Sequence, residues 1–224
     1  MKVRGADLVV KALEAEGVRL TFGIPGTHNI ELYDALERSP QITPVLVTDE
    51  QSASFMADAV SRSGAGVGVA NVVPGAGVTH TLSGVAEAFM DTVPMVVLTC
   101  GIRTDTGKAY QLHDIDQLAL LAPVTKAAFR IERADEIYSL VRHAFDVARR
   151  DAPGPVAVEI PANLYMLTHE IGEPVYDVTR PFPPQPADRD VAAATGLVRD
   201  PVLGQRPGPE VDGIQQPQGD EPWS

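Results

Sequence analysis

From residue 5 to residue 178 the chain alternates short β-branched runs with stretches of helical periodicity, and this alternation constrains its fold more than any other feature. Residues 6–16 repeat apolar side chains at helical spacing (Leu8, Val9, Ala12, Leu13), and Gly17 stands where a helix end favours a left-handed residue. Residues 20–24 read as a strand, 29–37 as a helix and 42–47 as a strand. Thr48 and Gln51 have the spacing of a capping box, which puts Glu50 in the first turn of the next helix. Strand patterns recur at 67–73, 95–99, 126–131 and 156–160. Between them lie a helix of small residues at 77–90 (Ser83, Gly84, Ala86, Ala88), suited to close packing, and an amphipathic helix at 134–150. Parallel strands need crossover connections, and strands buried on both faces read as continuous apolar runs. The expected fold is therefore α/β: a doubly wound, mostly parallel six-stranded sheet with helices on both faces.

The pattern stops near Thr179. Residues 180–224 hold nine of the 19 prolines and no sustained periodicity. Such a segment buries too little apolar surface to offset backbone ordering, so a folded domain at 1–178 and a disordered Pro/Gly-rich tail at 179–224 are expected. Within that tail only 188–198 has a weak helical pattern, and Trp223 is expected to be exposed.

A formal net charge of -12 disfavours nucleic acid and anionic membranes as partners, since both need a basic patch. No apolar run approaches the ~20 residues required to cross a bilayer, and Asp7, Lys11, Glu14 and Glu16 interrupt any signal-peptide core. A cytoplasmic protein is expected. Cys100, the single cysteine, precludes an intrachain disulfide and reads as a small buried hydrophobe.

Chemistry is sought where strands end. In open α/β sheets ligands settle beyond the carboxyl ends of the strands. Two glycine-bearing turns, Phe22-Gly-Ile-Pro-Gly-Thr-His28 and Pro74-Gly-Ala-Gly-Val-Thr-His80, are expected at the same sheet edge as Glu50, where small residues let a planar ligand lie against backbone. Neither completes a dinucleotide or P-loop motif. Thr27, His28 and His80 are polar groups of these turns, equally readable as turn-capping residues. The five histidines show no metal-ligand spacing, so no metal site is expected, and no nucleophile elbow occurs. Glu50 alone reads either as a helix-terminal carboxylate stabilised by the macrodipole or as an acid/base group held against apolar walls.

From about residue 4 to 164 the chain resembles the N-terminal pyrimidine-binding domain of thiamine diphosphate enzymes of the acetolactate synthase and pyruvate oxidase type. The resemblance rests on ordered blocks: Phe22-Gly-Ile-Pro-Gly26 with Leu32-Tyr-Asp-Ala-Leu36; Asp49-Glu-Gln51 with Phe55-Met-Ala-Asp58; Gly75-Ala-Gly77 where the family usually has Gly-Pro-Gly; Ala88-Phe-Met-Asp-Thr-Val-Pro-Met-Val-Val-Leu98; Pro123-Val-Thr-Lys126; and Gly154-Pro-Val-Ala-Val-Glu-Ile-Pro161. It implies that Glu50 hydrogen-bonds N1' of the aminopyrimidine, so that the 4'-nitrogen can take the thiazolium C2 proton. It further implies that Pro25, Gly26, Val73, Gly77 and His80 line the pyrimidine pocket, that Thr27 holds a position that is polar and catalytic in related decarboxylases, and that Gln111 lies beside the substrate. The family's diphosphate-binding marks, Gly-Asp-Gly and Asn-Asn, do not occur. The resemblance thus implies an acetolactate synthase-like 2-oxo acid carboligase or decarboxylase, inactive without a Mg-holding, diphosphate-binding domain on another chain in a homo- or hetero-oligomer. FAD dependence and the identity of the 2-oxo acid are left open. A truncated gene product, a split-enzyme subunit and a non-catalytic interaction protein of the same fold are the alternatives.

Overall fold

The computed structural model describes residues 1–107 and 112–177. Eight strands and seven α-helices follow in the order β1 (Lys2–Arg4), α1 (Gly5–Ala15), β2 (Leu20–Gly23), α2 (Ile30–Glu37), β3 (Thr43–Leu46), α3 (Glu50–Arg62), β4 (Gly68–Val72), α4 (Ala76–Met90), β5 (Met95–Gly101), α5 (Gln117–Leu121), β6 (Ala127–Arg130), α6 (Ile137–Arg149), β7 (Pro155–Pro161), α7 (Ala162–Met166) and β8 (Thr168–Glu170). Strands β2 to β7 form the six-stranded sheet in the order β3-β2-β4-β5-β7-β6, and every pair in it is parallel. This is the expected doubly wound α/β sheet. Unforeseen was a second, antiparallel pair, β1 with β8, whose three-residue strands are too short to show a period of two.

Strand alternation divides the interior into two cores. Val69, Val96, Leu98, Val156, Val158 and Ile160 point to the face covered by α1, α2 and α6, where Leu8, Leu13, Leu32 and Phe145 are buried. Ala70, Val72, Met95, Val97 and Ala157 point the other way, onto Ala53 and Ala57 of α3 and Val78, Val85 and Ala88 of α4. Both faces are therefore dry, which is why these strands read as unbroken apolar runs. Helix α6 shows the one-sided pattern expected of it, burying Ile137, Leu140, Val141, Ala144, Phe145 and Ala148. The small residues of α4 serve close packing as expected: a Cβ added to Gly84 would sit 2.4 Å from Ser54 Oγ on α3.

Helix ends decide where side chains project. Gly17 has φ +77°, with its N–H bonded to Glu14 O and the Val18 N–H to Leu13 O, the paired closure of a left-handed C-terminus. The start of α3 differs from expectation. Asp49 rather than Thr48 caps it, its Oδ1 accepting the Gln51 N–H at 3.1 Å. An aspartate carboxylate one residue later competes successfully for the same unsatisfied amides. Glu50 thereby becomes the first helical residue, at the very tip of α3.

The chain runs from β2 outward to β3, then returns past β2 to β4 and continues to β5. The winding direction thus reverses between β2 and β4, and at such a switch point the loops leaving adjacent strands diverge and open a crevice. Gly23, which ends β2, pairs there with Asn71 of β4.

Candidate active site at the strand switch point

Three loops reach this crevice: the segment after β2 (Ile24 to His28), the α3 tip after β3, and the turn from β4 into α4 (Val73 to Gly77). The first is pinned from within. Buried Asn29 accepts the Gly26 N–H on its Oδ1 at 2.7 Å and donates Nδ2–H to Ile24 O at 3.3 Å. The third turns on Gly75, whose φ of +69° only glycine adopts without strain.

Val73 joins the two turns. A Cβ on Gly26 would come within 2.6 Å of its Cγ1, and one on Gly77 within 2.8 Å of its Cγ2. The missing side chains leave flat backbone on either side of a branched aliphatic wall. Glu50 borders the same place: its Oε1 is 3.3 Å from the position of a Gly77 Cβ. The carboxyl is mostly enclosed, with 13% of the side chain exposed, whereas His80 beside it is 62% exposed. His80 Nδ1 lies 3.6 Å from Glu50 Oε2 and 3.5 Å from Asp49 Oδ1. The structure therefore brings Gly26, Glu50, Val73, Gly77 and His80 together. Pro25 and Thr27, on the same loop, are exposed. Gln111 lies outside the described residues.

Asp49, Glu50 and His80 offer ligand atoms all within 4.8 Å of one another. Sequence spacing did not reveal this group, because His80 comes from the next helix. Its place at the positive end of α3 suits carboxylates that accept N–H bonds, as Asp49 already does, and opposes a cation.

Beneath the crevice is a polar layer that the sequence did not disclose. The Tyr33 hydroxyl and the side-chain polar atoms of Asn71 are enclosed and face one another, with no further partner among the described residues. The Tyr33 pKa is raised first by burial and then by the negative charge of Glu50, so the phenol stays neutral. A Cβ at Gly23 would lie 1.9 Å from the Asn71 backbone oxygen and 2.8 Å from the Tyr33 hydroxyl, and the immovable backbone contact explains a glycine at that strand end. An asparagine inside an apolar strand was the available signal.

A mostly enclosed carboxyl, facing flat glycine backbone across an aliphatic wall at a switch point, is suited to a planar, nitrogen-bearing heterocycle. Residues 3–120 match the family model of the thiamine pyrophosphate enzyme N-terminal TPP binding domain. The chain belongs to this family. Within it, the chain is similar to the acetolactate synthase large subunit of Haemophilus influenzae, 37% identical over 160 residues that make up 71% of this chain and 28% of that protein. The acetolactate synthase isozyme 3 large subunit of Escherichia coli is 36% identical over 160 residues, with the same coverage of 71% and 28%. A probable acetolactate synthase large subunit of Methanocaldococcus jannaschii is 36% identical over 162 residues, 72% of this chain and 27% of that protein. This thiamine pyrophosphate enzyme domain thus spans little more than a quarter of the length of those relatives. Among its described residues no helix is long and apolar enough to cross a membrane.

Proposed function

We propose that the chain binds thiamine diphosphate through its aminopyrimidine, as the N-terminal domain or subunit of an acetolactate synthase-like enzyme acting on 2-oxo acids. The supporting observation is the Glu50 carboxyl, 13% exposed and bordered by Gly77, whose absent Cβ leaves room for a flat ring against backbone. The donor set fits the pyrimidine: an acid for a ring nitrogen, an aliphatic wall in Val73, and glycine surfaces at Gly26 and Gly77. When bound, the cofactor supplies carbanion-stabilising chemistry at its thiazolium ring.

The residues of the chain do the rest. Glu50, whose Oε1 borders the open face of Gly77, would hold or exchange a proton at a ring nitrogen of the pyrimidine. His80 and Asp49, on the outer side of the carboxyl, limit its rotation. Val73 keeps water from the ring face, while Pro25 and Thr27 close the loop side of the pocket. Gln111 acts beside the substrate.

On this reading the diphosphate and its Mg ion are held outside this pyrimidine-binding domain, which by itself is catalytically silent. Exposed Leu46, Phe55, Met56, Phe89 and Met90 on and beside α3 and α4 provide apolar surface for association with such a diphosphate-binding part. The test is calorimetric titration of the full chain with thiamine diphosphate and with thiamine, which keeps the pyrimidine and lacks the diphosphate. Saturable binding of both is expected, weakened at least about tenfold by Glu50→Gln through loss of a charge-assisted hydrogen bond. Equal binding by the two proteins excludes the proposed role of Glu50.

A further inference from the structure

Tyr33 and Asn71 take no part in the function proposed above, yet they border its acid from within. Asn71 stands one residue before the end of β4. Strand alternation turns its side chain to the face of Val69, which α2 covers, and away from that of Ala70 and Val72. Val72 has its Cβ 3.6 Å from the position of a Gly77 Cβ, the same point that lies 3.3 Å from Glu50 Oε1. The Glu50 carboxyl therefore overhangs the end of the strand that carries Asn71. Tyr33 reaches this strand end from α2 across Gly23, which pairs with Asn71 and whose missing Cβ would lie 2.8 Å from the phenol oxygen.

The pair is oriented. Asn71, 1% exposed, faces the Tyr33 oxygen with its amide, so the phenol O–H proton is left to point away from Asn71. Neither side chain has a further hydrogen-bond partner among the described residues. Enclosed polar groups without partners are costly, so their retention here calls for a neighbour that they serve. That neighbour is Glu50. Burial, and then the negative charge of Glu50, keep the phenol neutral with its proton in place. A hydroxyl whose oxygen is steadied by an amide is a fixed dipole, and in an enclosed site such a dipole stabilises a carboxylate without having to reorient. On the outer side the carboxyl has His80, 3.6 Å from Oε2 and 62% exposed. A solvated contact of that kind holds a charge weakly.

We propose that Tyr33, oriented by Asn71, is a positioning residue for Glu50: the phenol hydroxyl steadies the inner side of the carboxyl and so sets the direction in which the acid is offered at the crevice. That the acid is offered to an aminopyrimidine rests on the proposed function; the coupling of Tyr33 to Glu50 does not.

The test is a double-mutant cycle on the full chain with Tyr33→Phe and Glu50→Gln, read by denaturant unfolding without ligand and by calorimetry with thiamine. Tyr33→Phe removes the hydroxyl and keeps the ring, so a role in packing alone gives the same fold-change whether residue 50 is glutamate or glutamine. The expected loss in the unfolding equilibrium is at least about fivefold larger with glutamate than with glutamine. Asn71→Ala, which keeps both partners but releases the phenol, should shrink that difference. Thiamine binding should weaken at least about fivefold on Tyr33→Phe when residue 50 is glutamate, and stay within about twofold when it is glutamine. Tyrosine 13Cζ NMR supplies a spectroscopic readout. The Tyr33 signal, which Tyr33→Phe removes, is expected to move in Glu50→Gln while those of Tyr138, Tyr165 and Tyr176 stay.

Equal unfolding losses in the two backgrounds, or an unmoved Tyr33 signal, overturn the proposal whatever thiamine does. Glu50-dependent thiamine binding with uncoupled unfolding removes the role of Tyr33 alone. Coupled unfolding and a responsive Tyr33 signal in a chain that does not bind thiamine leave Tyr33 as the residue that holds Glu50 and remove the cofactor.

Discussion

Glu50 Oε1 lies 3.3 Å from where Gly77 would carry a Cβ, so the acid and the glycine hold open one surface between the tips of two helices. The same Cβ would come within 2.8 Å of Val73 Cγ2, and valine, branched at Cβ, has little freedom to withdraw.

Gly77→Ala is therefore expected to overpack this corner. A stability loss of about 1–3 kcal/mol in denaturant unfolding is the expected cost. Thiamine binding should fall further than the stability loss alone accounts for, because the added methyl lies on the face offered to the ring. An alanine variant that binds thiamine as the parent does places the ring elsewhere.

Glu50→Gln keeps the shape and removes the acid. The chain alone, with thiamine diphosphate, Mg and pyruvate, is expected to release no acetolactate and no carbon dioxide above background. With a compatible diphosphate-binding chain supplied, turnover should appear, and the glutamine variant should then lose roughly 10²-fold or more, the scale of a general acid–base contribution. Turnover by the unassisted chain, or full activity of the variant, decides against these roles.

Asn29 bridges the Ile24–Gly26 turn with two hydrogen bonds while 1% exposed. Asn29→Ala leaves the partly buried Gly26 N–H and Ile24 carbonyl without these partners, at an expected cost of about 1 kcal/mol. Faster amide hydrogen exchange at Gly26 is the local readout, and unaltered exchange there contradicts the bracing role.

His143 packs edge-on to Phe129, and burial, followed by the charge of Arg150, lowers its pKa from the ordinary 6.5. Its protonation is thus harder in the folded chain than in the unfolded one. Stability is fully present above pH 6.5 and falls as pH drops below it, where the unfolded chain binds the extra proton, until the folded ring also titrates. His28, lowered in the same sense, adds to the slope. Thermal unfolding between pH 7.5 and 5.5 should show a midpoint that declines with pH, and His143→Gln should flatten part of that decline. A slope that the variant leaves intact assigns the effect to other groups.

Much of this domain was legible in advance. The six strands, their parallel pairing and the two-sided burial follow from apolar runs spaced by helical patterns, because each crossover needs its own helix and each central strand two dry faces. Gly17 and the small residues of α4 were readable for the same reason: a backbone angle or a close helix approach admits few residue types. The meeting of Glu50 with the turns that carry Gly26, Gly77 and His80 also followed, since all leave the carboxyl ends of parallel strands, and Val73 entered through the family resemblance. The cap of α3 did not. Thr48 and Asp49 both suit that position, and the competition is settled by which side chain reaches the free amides.

The sequence by itself therefore determined the sheet, the edge at which chemistry is possible and the carboxylate that stands there, since local period and the alternation of strands with crossover helices dictate these. Only the tertiary structure placed Tyr33 and Asn71 beneath the crevice and set His28 against His113. Those pairs join residues 38 and 85 positions apart, from different loops and layers. No local pattern encodes such a meeting, because it depends on how far each loop travels after its strand ends and on the glycines, Gly23 and Gly75, that let backbones come close enough for the side chains to touch.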